Sequence, residues 1–120
     1  MKIIYLQILV IILILLGEGF AIYSEMAAAK QINQSKNNFH KIFLKMILIA
    51  TIAGILLILG YTLGYQSFKN IWIVGVISIT SILILEPILA FTIFKEFPTK
   101  GAIIGFTLEI LGFLATIFID

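Results

Sequence analysis

The chain has 120 residues, 62% hydrophobic and 12% charged, with a mean hydropathy of +1.20, whereas a soluble domain is about 45–50% apolar and about 25% charged. A fold this small cannot hide so much apolar side chain from water, so the composition excludes an ordinary soluble protein and makes the bilayer part of the solvent. The formal charge of +2 comes from eight lysines without arginine, gathered at segment ends, which points to membrane orientation rather than nucleic-acid binding; the lack of cysteine excludes disulfides, thiolate metal sites and cysteine nucleophiles.

Four apolar spans follow one another, at about 3–29, 42–65, 71–94 and 101–119, each near or above the roughly 20 residues that a membrane-crossing helix needs. The connections "KQINQSKNNFHK", "QSFKN" and "KEFPTK" leave no room for a soluble domain. The expectation is an all-α integral membrane protein, residues 1–120 forming one compact bundle of four transmembrane helices that works as a dimer.

Span one opens "KIIYLQILVIILILL" and continues "GEGFAIYSEMAAAK". Lys2, the apolar run and the small-x-small "GFA" at Gly19–Ala21 also fit a cleavable signal peptide, but the apolar stretch before Gly17 is at the upper limit for one. An uncleaved first helix is therefore expected. Glu18 and Glu25 lie seven residues apart, and Gln7 lies eleven before Glu18. At about 100° per residue these three fall within about 20° of one another, giving the helix one polar stripe aimed at a bundle interior or cavity rather than at lipid. A charged carboxylate at the bilayer centre costs at least about 2.5–3.5 kcal/mol on insertion scales. An acid in that setting is suited to hold a proton and exchange it for a substrate; the other reading is a hydrogen-bonded glutamate that only joins helices. Gly17 and Gly19 flank Glu18 and admit a close neighbour.

Span two carries a small-xxx-small pair, Gly60 and Gly64, and ends near Tyr61 and Tyr65; with Trp72 at the start of span three, these form an interfacial aromatic belt or a stacking surface for a cationic or sugar-bearing substrate. Span three contains Glu86-Pro87. The proline removes a backbone hydrogen bond and is expected to kink the helix, with Ser78, Thr80, Ser81 and Thr92 able to serve the freed backbone groups. In span four, Gly101, Gly105, Glu109, Gly112 and Thr116 recur at spacings of three or four, a helix-packing face with an acid embedded in it. Glu86 and Glu109 are candidate relay acids behind Glu18 or Glu25. His40, the sole histidine, lacks partners for metal or triad chemistry, so no metal, cofactor or enzymatic activity is expected.

Lys30, Lys36, Lys41, Lys45, Lys95 and Lys100 fall at one side of the four spans and only Lys2 and Lys69 at the other. The bias places loops 30–41 and 95–100 in the cytoplasm and both termini outside a plasma or inner membrane, and disfavours random dual insertion.

The stretch "EPILAFTIFKEFPTKGAIIGFTLEILGFLATIF", Glu86 to Phe118, resembles the closing helix pair of the drug/metabolite transporter superfamily. Pro87, Glu96, Gly105 and Gly112 match that pattern in order and spacing: a penultimate-helix proline, an acid at the helix end, a short polar turn and a glycine-spaced last helix. Four helices in 120 residues match its smallest members, the small multidrug resistance proteins and the four-helix, EamA-like half units that include flippases of lipid-linked sugars. The resemblance implies a homodimer or paired half-transporter joined through the last helix. It also implies a helix-one glutamate shared by proton and cationic substrate. That acid maps onto Glu25 if the first loop has the family's usual length, and onto Glu18 if the loop is longer. "AIYSE" is similar to the multidrug branch and "LLGEGF" to the sugar-lipid branch. The expected function is proton-coupled alternating-access export of a small organic cation or amphipathic metabolite, the alternatives being a lipid-linked sugar flippase subunit or a non-transporting membrane subunit.

Overall fold

The computed structural model describes residues 2–34 and 38–119. It contains four helices: α1 (Lys2–Gln34), α2 (Phe39–Phe68), α3 (Ile71–Phe94) and α4 (Lys100–Phe118). Each is long and apolar enough to cross a membrane, and their large hydrophobic side chains lie mostly on the outside of the molecule, as suits a multi-pass membrane protein.

The helix starts and stops follow from local chemistry. "AAAKQ" is made of strong helix formers, so α1 does not stop at the edge of its apolar run near 29 but continues through Lys30 to Gln34. At about 1.5 Å per residue, its 33 residues span about 50 Å, well beyond the roughly 30 Å hydrocarbon layer. α2 likewise starts three residues earlier and ends three later than the apolar pattern predicts. α2 and α3 both end on a lysine in the left-handed conformation, Lys69 and Lys95, each at φ 56°. Their backbone N–H groups return to the carbonyls of Tyr65, at 2.9 Å, and Phe91, at 2.8 Å, the closing bond of a helix C-cap. Asn70 then opens α3 by accepting from the Trp72 N–H at 2.9 Å, and Thr99 opens α4 by accepting from the Ala102 N–H at 3.1 Å, the usual side-chain rescue of an N-terminal donor. Lys36 of the first loop lies outside the described residues.

α1 is the centre of the packing: α2 lies antiparallel along it and α3 parallel to it, while α2 and α3 meet each other less closely. Fully buried Val10, Ile14 and Val74 form the core, with Leu57, Tyr61 and Phe68 among the residues packed on it. Glycines make this approach possible. A methyl group added at Gly60 would lie 2.7 Å from Ile14 Cγ1, one at Gly64 2.9 Å from Val74 Cγ2, and one at Gly17 2.7 Å from Leu57 Cγ. Backbones can come this close only where a side chain is missing.

The fourth helix departs from the compact four-helix bundle expected of the sequence. α4 touches α3 alone among the helices, and none of its residues is buried. The result is a slab of 51 × 34 × 17 Å: three interlocked helices with a fourth on their flank.

Candidate functional site

The polar stripe of α1 meets three different surroundings. Near the start of the helix, Gln7 donates through Nε2 to the Ser67 carbonyl at the end of α2, at 3.5 Å. In the middle, the half-buried Glu18 accepts a hydrogen bond from the buried Ser78 hydroxyl of α3, Oγ to Oε1 3.0 Å. Further along, Glu25 is exposed. The shared helix phase thus places Gln7 and Glu18 against neighbouring helices but leaves Glu25 exposed, although Ser24 and Ala27 on either side of it are buried.

The Glu18–Ser78 pair is the one place where a carboxylate of one helix is held by a side chain of another among the described hydrogen bonds. Gly17 lets α2 close in on one side, through Leu57 and the Ala53 backbone; Gly19 on the other side has Leu85 of α3 3.5 Å from where a Cβ would stand. Ser81, three residues after Ser78, is also buried and bonds the Ile77 carbonyl at 2.9 Å. A carboxylate with a single hydroxyl donor and, among the described residues, no cation paired to it can hold a proton, or accept a substrate's positive charge, at modest rearrangement. Among the described residues no cluster suited to a metal ion occurs.

Ser78 was expected to serve the backbone freed by Pro87; it serves Glu18 instead. The remaining hydroxyls of α3 bond their own helical turn: Thr80 to Val76, Ser81 to Ile77 and Thr92 to Ile88, at 2.7–2.9 Å. None of them reaches the Leu83 carbonyl, the one that Pro87 deprives of a donor. α3 nevertheless runs through Pro87 as one helix. Its far end is tied down by a contact that the sequence pattern does not reveal: Lys30 of α1 donates through Nζ to the Ile93 carbonyl at 2.6 Å.

The other predicted residues scatter. Tyr61 packs on the hydrophobic core, whereas Tyr65 and Trp72 are exposed, Trp72 lining a cleft with Thr116 and Ile117 between the start of α3 and the end of α4. The three aromatics form no common stacking surface. Glu86 is half-buried and Glu109 exposed, and neither takes part in the Glu18–Ser78 pair. Gly101, Gly105 and Gly112, expected to pack a helix, have no helix against them in this chain: the nearest atom to an added Cβ at Gly101 is Thr99 Oγ1 at 3.9 Å, and at Gly105 and Gly112 nothing lies within 4 Å. The packing glycines are Gly17, Gly60 and Gly64.

No family model, curated protein or solved structure matches this chain.

Proposed function

We propose that this chain is a small membrane transporter of the drug/metabolite transporter type, which exports a small organic cation or amphipathic metabolite by alternating access coupled to protons. The observation that carries this reading is Glu18, a half-buried carboxylate midway along an apolar helix, held by Ser78 across the α1–α3 seam and flanked by Gly17 and Gly19. Such an acid exchanges a proton for a cationic substrate without bringing two charges into the membrane at once. Glu25 is the second acid of the stripe and receives the proton nearer the end of α1. Glu86, one helix away, is a relay candidate.

The working unit is a homodimer or a pair of half-transporters. Glu109 lies at the middle of α4, exposed, on the same face as Gly105 and Gly112, which have open space beside them. An acid at mid-membrane facing lipid is costly, and a second copy's α4 against this glycine face would cover it. Loops one and three lie in the cytoplasm, following the lysine bias.

The test is proton release from purified protein on adding candidate cations, read beside cellular resistance to them. Wild type is expected to release protons and confer pH-dependent resistance, and Glu18→Gln to lose both; Glu25→Gln shows whether the second acid is needed. Absence of release with every substrate would overturn proton coupling. Altered surface glycolipid without resistance would assign the chain to a lipid-linked sugar flippase. Faulty assembly without any transport would make it a structural subunit.

A further inference from the structure

On the side of α1 away from Glu18 lies an open groove of about 530 Å³ that the transport reading does not use. Gly19 and Tyr23 of α1 form its floor, with Ile49 and Ile52 of α2 and Leu85 and Leu89 of α3 as walls. Its size falls within the range of about 300–1,000 Å³ typical of small-molecule sites. Polar groups contribute almost nothing to its lining, so it offers no means of orienting a polar ligand inside. A hydrocarbon chain needs none.

The end of the groove supplies what the interior lacks. Lys41, Lys45, Ile49 and Ile52 stand at spacings of four, four and three on α2 and so share one face of the helix. Lys45 is about 6 Å along the axis from Ile49. On α1, Lys30 lies seven residues beyond Tyr23, on the same face, and its bond to the Ile93 carbonyl places it where α1 and α3 come together. At this end of the slab the described charges are Lys30, Lys41, Lys45, Lys95 and Lys100 against Glu25 and Glu96. An apolar groove that ends in a surplus of lysine at the level of the lipid headgroups complements an amphiphile with a hydrocarbon tail and a negative head.

We propose that the groove seats one acyl chain of an anionic phospholipid, with its phosphate headgroup resting on Lys41 and Lys45. The proposal requires that the helices span a bilayer but not that the chain transports anything. The lipid would fill the space between the α2 and α3 walls and hold them apart at a fixed distance over α1. Neutral lipid fits the groove equally well but gains nothing from the lysines, so headgroup charge is the discriminating feature.

The experiment uses the full chain in vesicles of phosphatidylcholine doped with a trace of phospholipid bearing a diazirine at mid-chain, either phosphatidylglycerol or phosphatidylcholine with identical tails. Crosslinks are mapped by mass spectrometry. Labelling of the groove residues is expected to favour the anionic probe by at least about fivefold, the scale of one lysine at a charged surface. Labelling of the exposed face of α4 should not distinguish the probes. The double variant Lys41→Gln, Lys45→Gln should bring the groove ratio down to that of α4. Ile52→Trp, at an exposed position that leaves the core intact, should reduce groove labelling by both probes. Equal ratios on the groove and on α4 would overturn the proposal and mean ordinary boundary lipid. So would protection of the groove from both probes while α4 is labelled, which would make a second copy its occupant.

Discussion

In α1, Gly17 lies under Leu57 and Glu18 takes a hydrogen bond from Ser78; in α4, Gly112 has open space beside it and Glu109 is exposed. Both helices combine small residues with a central acid, and both are apolar enough to cross a membrane. The difference lies in what stands opposite. α2 and α3 present Ala53, Leu57 and Ser78 to α1, whereas α4 meets only one edge of α3. A glycine-and-acid pattern on a membrane helix therefore states that something is to come close without stating whether that partner belongs to the same chain. In α1 the partner is internal. In α4 no helix of the same chain covers the pattern, and a second copy is the proposed partner.

The most forceful way to break this comparison is to put the same bulky side chain on both. Gly60→Leu drives a side chain into Ile14, where even a methyl group would stand at 2.7 Å. Overpacking of this kind costs about 1–3 kcal/mol or more, and a loss of most folded protein is expected, measured as monodisperse yield and thermal unfolding in detergent. At Gly105 an added Cβ has open space, so Gly105→Leu should change the unfolding temperature of the monomer little while the dimer fraction in sedimentation falls. Equal destabilisation by the two would mean that α4 is packed into the three-helix core after all.

A smaller effect separates the two acids. Ser78→Ala leaves Glu18 in place but removes its donor, a net loss of about 1 kcal/mol where the acceptor has to find another partner. Transport is expected to weaken and to lose its normal dependence on pH, without a change in yield. Glu109→Gln should leave transport by assembled dimers nearly intact. If Glu109→Gln is the more damaging of the two, the proton site lies in the dimer interface rather than at Glu18.

The same contrast marks how far the sequence could be read. Four spans and their order were legible, and the inward face of α1 as far as Gln7 and Glu18 but not Glu25, because apolar run length and the 3.6-residue period are local properties. The helix ends were misplaced where "AAAKQ" carried α1 past its apolar limit, since propensity and hydropathy part company there. The Glu18–Ser78 bond and the Lys30 cap on Ile93 join residues 60 and 63 positions apart, and nothing in either stretch alone specifies its partner. The two serines at 78 and 81, three apart on one face of α3, were the available signal for a buried polar seam. Among the glycines, the pattern was equally visible at Gly60–Gly64 and Gly101–Gly105. Only the tertiary arrangement distinguishes a glycine that packs from one that waits.

The smallest expected effect sharpens the comparison most, because it compares like chemistry in unlike settings. Asn70 caps α3 by accepting from the Trp72 N–H, and Thr99 caps α4 by accepting from the Ala102 N–H. Removing such a cap costs about 1 kcal/mol at either site. α3 is locked into the core a turn later through Val74, so its first turn cannot open without disturbing that core. Asn70→Ala should therefore lower global stability and leave local amide exchange in α3 little changed. α4 has no buried residue to couple its first turn to the rest. Thr99→Ala should leave global unfolding alone and appear as roughly fivefold faster exchange at 102 and 103, whose amides are held by Thr99, the local equivalent of the same free energy. If both variants lower global stability alike, α4 belongs to the cooperative unit and the monomer is a true four-helix bundle. If Thr99→Ala acts only locally in the monomer but globally in the dimer, the missing half of the α4 interface is a second copy of the chain.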